Sequence, residues 1–241
     1  MLFRSPPSGG GDSSSPLLVR GHSGPTGMAH TALNLMIQFW TSRGWGVLDV
    51  NYGGSTGFGR AYRERLQGQW GVVDVEDCAA AAQAVLAAGR ADPRRVAFEG
   101  GSAAGFTVLA ALCRTDVFQA GACRYAVADL EGMARHTHRF EAGYLDGLVG
   151  PWPEAVATYR ERSPLFNADQ IRVPVIFFQG LEDPVVPPEQ TERMALALSD
   201  RGLAVEVHLF PGEGHGFRDS GVQQRVLEAT EHFFRQRFDL A

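Results

Sequence analysis

The chain has 241 residues, of which 44% are hydrophobic and 20% charged, with a formal net charge of −5. A chain of this length can be one α/β domain, burying about 70–75% of its unfolded surface. The acidic balance, with no basic stripe, argues against nucleic acid, and no apolar run reaches transmembrane length. Three cysteines, Cys78, Cys113 and Cys123, lack metal-ligand spacing and read as reduced core thiols. All 22 basic residues are Arg, a coding bias from which no function follows.

Residues 1–16 read as a flexible lead-in, because Met1 to Ser15 is rich in Pro, Gly and Ser. This stretch lacks the apolar core of a signal peptide, so the default location is cytoplasmic. Residues 17–241 then alternate strand and helix. Leu17–Arg20 is a short apolar strand, and Leu33–Arg43 is a helix with Leu33, Ile37 and Trp40 on one face. Gly46–Val50 is the next strand, followed by an Ala-rich helix over Val73–Ala88 that ends at Gly89. Asp92-Pro93 breaks the chain before the strand-like run Arg95–Glu99. A small-residue helix follows over Phe106–Cys113, and Tyr125–Ala128 reads as another short strand. Pro174–Gly180 and Val205–Phe210 are strands, with a helix over Thr191–Arg201 between them and a terminal helix over Val222–Phe238. Such alternation predicts a mainly parallel sheet covered on both faces. The segment 131–167 interrupts it and reads as a cap-like insertion of short helices.

Between the Arg95–Glu99 run and the Phe106 helix stands Gly-Gly-Ser-Ala-Ala-Gly, residues 100 to 105. A serine between strand and helix, with small neighbours two positions either side, is the pattern of a nucleophile elbow. It lifts Ser102 Oγ above the sheet edge at a helix N-terminus, where free N–H groups favour an anion. Asp183 follows the Pro174–Gly180 strand in a Pro-bounded loop, and His215 follows the Val205–Phe210 strand between two glycines. Ser, then Asp, then His is the chain order of α/β-hydrolases, and strand C-terminal ends are where open α/β sheets place their sites. Ser102 is therefore the candidate nucleophile, His215 the base and Asp183 the residue that orients it. The N–H of Ala103 is the first oxyanion donor.

Seven segments together resemble the catalytic domain of the prolyl oligopeptidase family, nearest its acylaminoacyl-peptidase branch. They are His22-Ser23-Gly24-Pro25, Asn51 to Gly59, the serine turn, Thr137 to Glu141, Arg162-Ser163-Pro164, Gln179 to Asp183 and Gly212 to Phe217. The resemblance runs from about Leu17 to Phe238. It implies an α/β-hydrolase fold and a serine peptidase acting on short or N-acylated peptides, with no metal or organic cofactor. It also implies a second oxyanion donor, the N–H of Gly24. A carboxylesterase of the same fold is the rival, and a catalytically impaired or binding-only relative is the third reading. In the family a β-propeller precedes this domain. None is present in this chain, which leaves a free-standing domain and a piece of a longer product both open. A homo-oligomer or a separate propeller partner is possible on that ground.

His22, Tyr52, Phe140, Tyr144 and Trp152 are candidate substrate contacts, with structural packing as the alternative for each. His136 and His138 do not share one helix face, which speaks against a metal site. Three positions depart from the family pattern: Ala104 for a glycine, Ser23 for a glycine and Gly53 for an arginine. The expected costs are strain at Ala104, strain at Ser23 if its φ is positive, and a lost cation at Gly53.

Overall fold

The apolar runs read above become strands because each is buried on both faces, which a parallel sheet between helices requires. A computed structural model describes residues 1–6, 12–136 and 143–240. Among these residues one sheet holds β1 (Leu2–Arg4), β2 (Leu17–Gly21), β3 (Gly46–Val50), β4 (Val96–Gly101), β5 (Ala120–Arg124), β6 (Val175–Gly180) and β7 (Val205–Phe210). Their order is β1-β3-β2-β4-β5-β6-β7. Only β1 runs antiparallel to its neighbour. The C-terminal ends of the six parallel strands therefore open on one edge, and the loops that leave them carry Ser102, Asp183 and His215.

The helices are α1 (Leu35–Thr41), α2 (Arg60–Glu64), α3 (Val73–Ala87), α4 (Ala103–Arg114), α5 (Leu130–His136), α6 (Tyr144–Leu148), α7 (Val156–Arg162), α8 (Pro188–Ser199) and α9 (Ser220–Arg237). A 3-10 stretch spans Pro164–Gln170. Alternate strand residues feed two cores. Leu17, Val19, Val96, Phe98 and Phe177 pack with α3, α4 and α8. Leu18, Val47, Ala97, Ile176 and Phe178 pack with α1 and α9, around Trp40, Trp45, Phe233 and Phe234.

Several sequence expectations need correction. The lead-in is not uniformly unstructured: Leu2–Arg4 adds a strand to the sheet edge beside β3. A three-residue strand among Pro, Gly and Ser carries too little periodicity to be read. Asn34 caps α1 by accepting Met36 N–H at 2.9 Å, so the helix starts at Leu35 and leaves Leu33 80% exposed. Tyr125–Ala128 is not a strand. The fifth strand lies earlier, at Ala120–Arg124, and ends where Tyr125 turns to φ 38°. Buried Ala126, Val127 and Ala128 gave the run its strand-like look.

α4 lies unusually close to the sheet, and glycine makes room for it. A Cβ on Gly121 would meet Leu112 Cδ1 at 2.7 Å, and one on Gly105 would meet Ala126 Cβ at 2.5 Å. A Cβ on Gly100 would meet the carbonyl carbon and oxygen of Ala104, each at 2.5 Å. Gly100→Ala should therefore displace the turn and destabilise the fold by about 1–3 kcal/mol. For a chain of this size that corresponds to a fall in Tm of roughly 5 °C, which calorimetry would register.

α3 and α4 are joined by a buried carboxylate. Asp74 accepts the Gly71 N–H and the Thr107 hydroxyl, both at 2.6 Å, and is wholly buried. Burial pushes its pKa up to about 6, against the lowering effect of those hydrogen bonds. A folded-state pKa above the unfolded value means stability that is held at low pH and lost as pH rises through about 6. Asp74→Asn keeps the shape and removes the charge. In denaturant titrations, the stability of the variant relative to the parent should improve by about 1–2 kcal/mol between pH ~5 and ~8. An unchanged difference across that range would contradict the assignment.

Candidate active site

β4 delivers Ser102 at the head of α4 with φ 52° and ψ −123°, a left-handed backbone that non-glycine residues seldom adopt. The Ser102 N–H donates to Arg124 O at 2.9 Å, and its carbonyl accepts Phe106 N–H at 3.1 Å. Ala104 is fully buried and fits because its neighbour across the sheet is Gly21, where a Cβ would stand 3.2 Å from the Ala104 Cβ. The expected strain at Ala104 is relieved by a glycine on another strand.

His215 links the two other candidates. Its Nε2 lies 2.9 Å from Ser102 Oγ and its Nδ1 lies 2.8 Å from Asp183 Oδ2. An ionised Asp183 can only accept, so Nδ1 carries the proton and Nε2 is free to receive one from Ser102. Asp183 Oδ1 accepts Val185 N–H at 2.8 Å and Val186 N–H at 2.9 Å. Burial favours the neutral acid, but the hydrogen bonds from His215, Val186 and Val185 outweigh it and hold the carboxyl below the usual carboxylate range.

Gln179 is a further member, which the sequence analysis placed in a family-like segment but gave no role. It ends β6 fully buried, with its amide near Asp183 Oδ2 at 3.4 Å and donating to Val186 O at 3.2 Å. Thr191 Oγ1 donates to the Gln179 carbonyl oxygen at 2.9 Å. A glutamine closing an otherwise apolar strand was the available signal.

The loop after β2 carries Gly24 at φ 85°. Among the described residues, neither the Gly24 N–H nor the Ala103 N–H donates to a protein acceptor. Ser23 does not have a positive φ, so the expected strain is absent. Its hydroxyl instead donates to Gly101 O at 2.6 Å and ties this loop to the serine turn.

Tyr52 is fully buried, which removes it from the candidate substrate contacts. Its hydroxyl lies 2.6 Å from Pro25 O and 3.1 Å from His22 O, and so braces the Gly24 loop from below. His22 stacks on Tyr52 with ring centroids 4.2 Å apart. Ser55 Oγ donates to Tyr52 O at 2.7 Å, so it accepts from His22 Nε2–H at 2.6 Å. Burial lowers the His22 pKa, which favours the neutral ring.

Tyr144 is 42% exposed and its hydroxyl reaches Gly24 O at 3.3 Å, beside the candidate site. Trp152 packs edge-on against Tyr159 at 5.2 Å, with Arg135 over its ring, as a packing residue of the insertion does. Phe140 and His138 lie outside the described residues. Among the described residues no cluster of His, Cys, Asp or Glu is arranged to hold a metal ion, and no helix is long and apolar enough to cross a membrane. At Gly53 the space a side chain would take is filled by Val73 and the Arg65 guanidinium, whose carbon a Cβ would meet at 2.9 Å.

A sequence profile described as the prolyl oligopeptidase family matches residues 31–241. Dipeptidyl aminopeptidase BIII of Pseudoxanthomonas mexicana is 31% identical over 234 residues, covering 95% of this chain and 34% of that protein. The acylamino-acid-releasing enzyme of Arabidopsis thaliana is 30% identical, covering 83% of this chain and 27% of that protein. Among solved structures, a Mycobacterium tuberculosis puromycin-hydrolyzing peptidase superposes with a TM-score of 0.93 at 54% identity, over 95% of this chain and 35% of that one. An acylaminoacyl peptidase in complex with Z-Gly-Gly-Phe-chloromethyl ketone superposes with a TM-score of 0.88 at 25% identity, over 97% of this chain and 38% of that one. The chain thus spans about a third of the length of these relatives. With its α/β-hydrolase sheet and its match over most of its length, this chain belongs to the prolyl oligopeptidase family of serine peptidases.

Proposed function

We propose that this chain hydrolyses peptide or amide bonds of short or N-acylated peptides through an acyl-enzyme formed on Ser102. The observation that carries the reading is the hydrogen-bonded line from Ser102 Oγ through His215 to Asp183, at 2.9 and 2.8 Å. In the first half-reaction Ser102 Oγ attacks the substrate carbonyl carbon while His215 Nε2 takes the hydroxyl proton. The carbonyl oxygen becomes an anion that the Ala103 and Gly24 N–H groups receive. Each such donor contributes about 10²–10³ in rate. His215 then gives its proton to the departing amine, and the C–N bond breaks. In the second half-reaction water replaces the amine, His215 takes a proton from it, and the acid leaves as Ser102 regains its proton.

Asp183 holds the tautomer and stabilises the imidazolium in both halves. Its lowered pKa favours the ionised form that this role requires. Tyr144, reaching Gly24 O from the insertion, stands where it can contact substrate. The relatives named for acylated amino acids and for dipeptides, and the puromycin-hydrolyzing peptidase, support short peptide or amide substrates. The three free cysteines support a reducing, cytoplasmic setting.

The test is turnover of an acyl-amino-acid anilide, puromycin and a short-chain p-nitrophenyl ester. Ser102→Ala should lower kcat by about 10⁶-fold on every substrate the parent cleaves. Asp183→Asn should lower it by about 10⁴-fold with the fold intact, because the imidazole then presents the wrong tautomer. Ester turnover without amide turnover would replace the peptidase reading with a carboxylesterase, and turnover that survives Ser102→Ala would overturn both.

A further inference from the structure

Five charged residues of alternating sign cross the sheet, one on each of five neighbouring strands. Arg4 on β1 pairs with Asp49 on β3 at 2.7 Å, and Asp49 pairs with Arg20 on β2 at 3.2 Å. Arg20 pairs with Glu99 on β4 at 2.8 Å, and Glu99 pairs with Arg124 on β5 at 3.3 Å. The row continues the face that carries Leu18, Val47, Ala97 and Ala122, at the end of the sheet where the candidate site lies. Its most buried member is Glu99, whose side chain is 1% exposed. Burial alone would raise the Glu99 pKa, but Arg124 and Arg20 reverse this and hold it below the ordinary value.

Stability does not account for such a row. Replacing a buried ion pair by apolar side chains of similar size is often neutral or stabilising. The position of the row does suggest a task. Arg20 is followed within two residues by His22 and the loop that carries Gly24. Glu99 lies three residues before Ser102, and the Arg124 carbonyl accepts the Ser102 N–H at 2.9 Å. Tyr125, next in the chain at φ 38°, packs its ring 4.8 Å from that of His215. The same ring lies under the serine turn, where a Cβ on Gly101 would meet it at 3.0 Å.

We propose that Glu99 is a positioning residue for the hydrolysis argued above. Through Arg20 and Arg124 it fixes the ends of β2 and β5 to the nucleophile strand, and so fixes the oxyanion loop and the Tyr125 wall of the base relative to Ser102. The inference rests on that hydrolytic reading. Glu99 touches no reacting atom, so its effect falls on alignment in the transition state and on kcat rather than on KM.

The experiment compares the parent with Glu99→Gln, Glu99→Asp and a triple variant, Arg20→Met with Glu99→Met and Arg124→Met, which removes the buried charges together and avoids leaving one unpaired. The triple variant keeps the protein folded if Glu99→Gln does not. For each folded variant kcat and KM are measured on the best parent substrate, and the downfield proton resonance of the His215 Nδ1–H to Asp183 hydrogen bond is recorded by NMR. Glu99→Gln and the triple variant should lower kcat by about tenfold with KM within about twofold, and shift or broaden the resonance. Glu99→Asp, which keeps the charge, should retain more rate than Glu99→Gln. A folded Glu99→Gln or triple variant with kcat within about twofold of the parent and an unmoved resonance would overturn the proposal. If the parent shows no Ser102-dependent turnover, the hydrolytic reading fails, and the resonance alone then decides whether Glu99 positions His215.

Discussion

The whole site depends on one unfavourable backbone conformation. Ser102 is held at φ 52°, which costs an L-residue roughly 1–2 kcal/mol. The conformation persists because its surroundings over-determine it. The strand before it ends in two glycines, Arg124 O takes the serine N–H, and α4 begins at once and takes the serine carbonyl. This turn puts the hydroxyl above the sheet edge and leaves the first N–H groups of α4 pointing at the same space. Loops from β2, β6 and β7 converge there because parallel strands present their C-terminal ends together.

The polar groups beneath those loops are tied down. Asp183 has both oxygens occupied, and Gln179 behind it is held by Thr191. Tyr52 and Ser55 fix the loop that carries Gly24, and Ser23 fastens that loop to the serine turn. Buried polar groups with partners confer rigidity, whereas unpartnered ones would be costly. The result is a set of candidate groups whose orientation is fixed in advance, which under the proposed hydrolysis would let electrostatic stabilisation act without reorganisation.

Much of this was legible in the chain. Gly46–Val50 and Val205–Phe210 match their strands end to end, because each run is bounded by turn residues. The meeting of Ser102, Asp183 and His215 was legible because each falls in a glycine- or proline-marked loop after an apolar run, in the order expected of a candidate site. Helix starts were less so. α8 begins at Pro188 and α9 at Ser220, each earlier than the apolar pattern suggests, because the first turn of a helix is set by caps and Pro rather than by burial. The strand expected at Tyr125–Ala128 failed because burial against α4 imitates strand composition. The true strand, Ala120–Arg124, is small-residue and inconspicuous, since α4 leaves no room above Gly121.

Local chemistry fixed the alternation of strand and helix, the sharp serine turn and the identity of the three candidate reacting side chains. These depend on residue size, backbone freedom and hydrophobic period, all of which act within a few positions of the chain. The meaning of Ser23, Ala104, Gly53 and Tyr52 was decided only when distant segments met. Ser23 found Gly101, Ala104 found the missing Cβ of Gly21, Gly53 found Arg65, and Tyr52 was covered by the loop it supports. The row of charges from Arg4 to Arg124 belongs to the same class. Its members lie up to 120 residues apart in the chain, and only strand order and register bring them side by side.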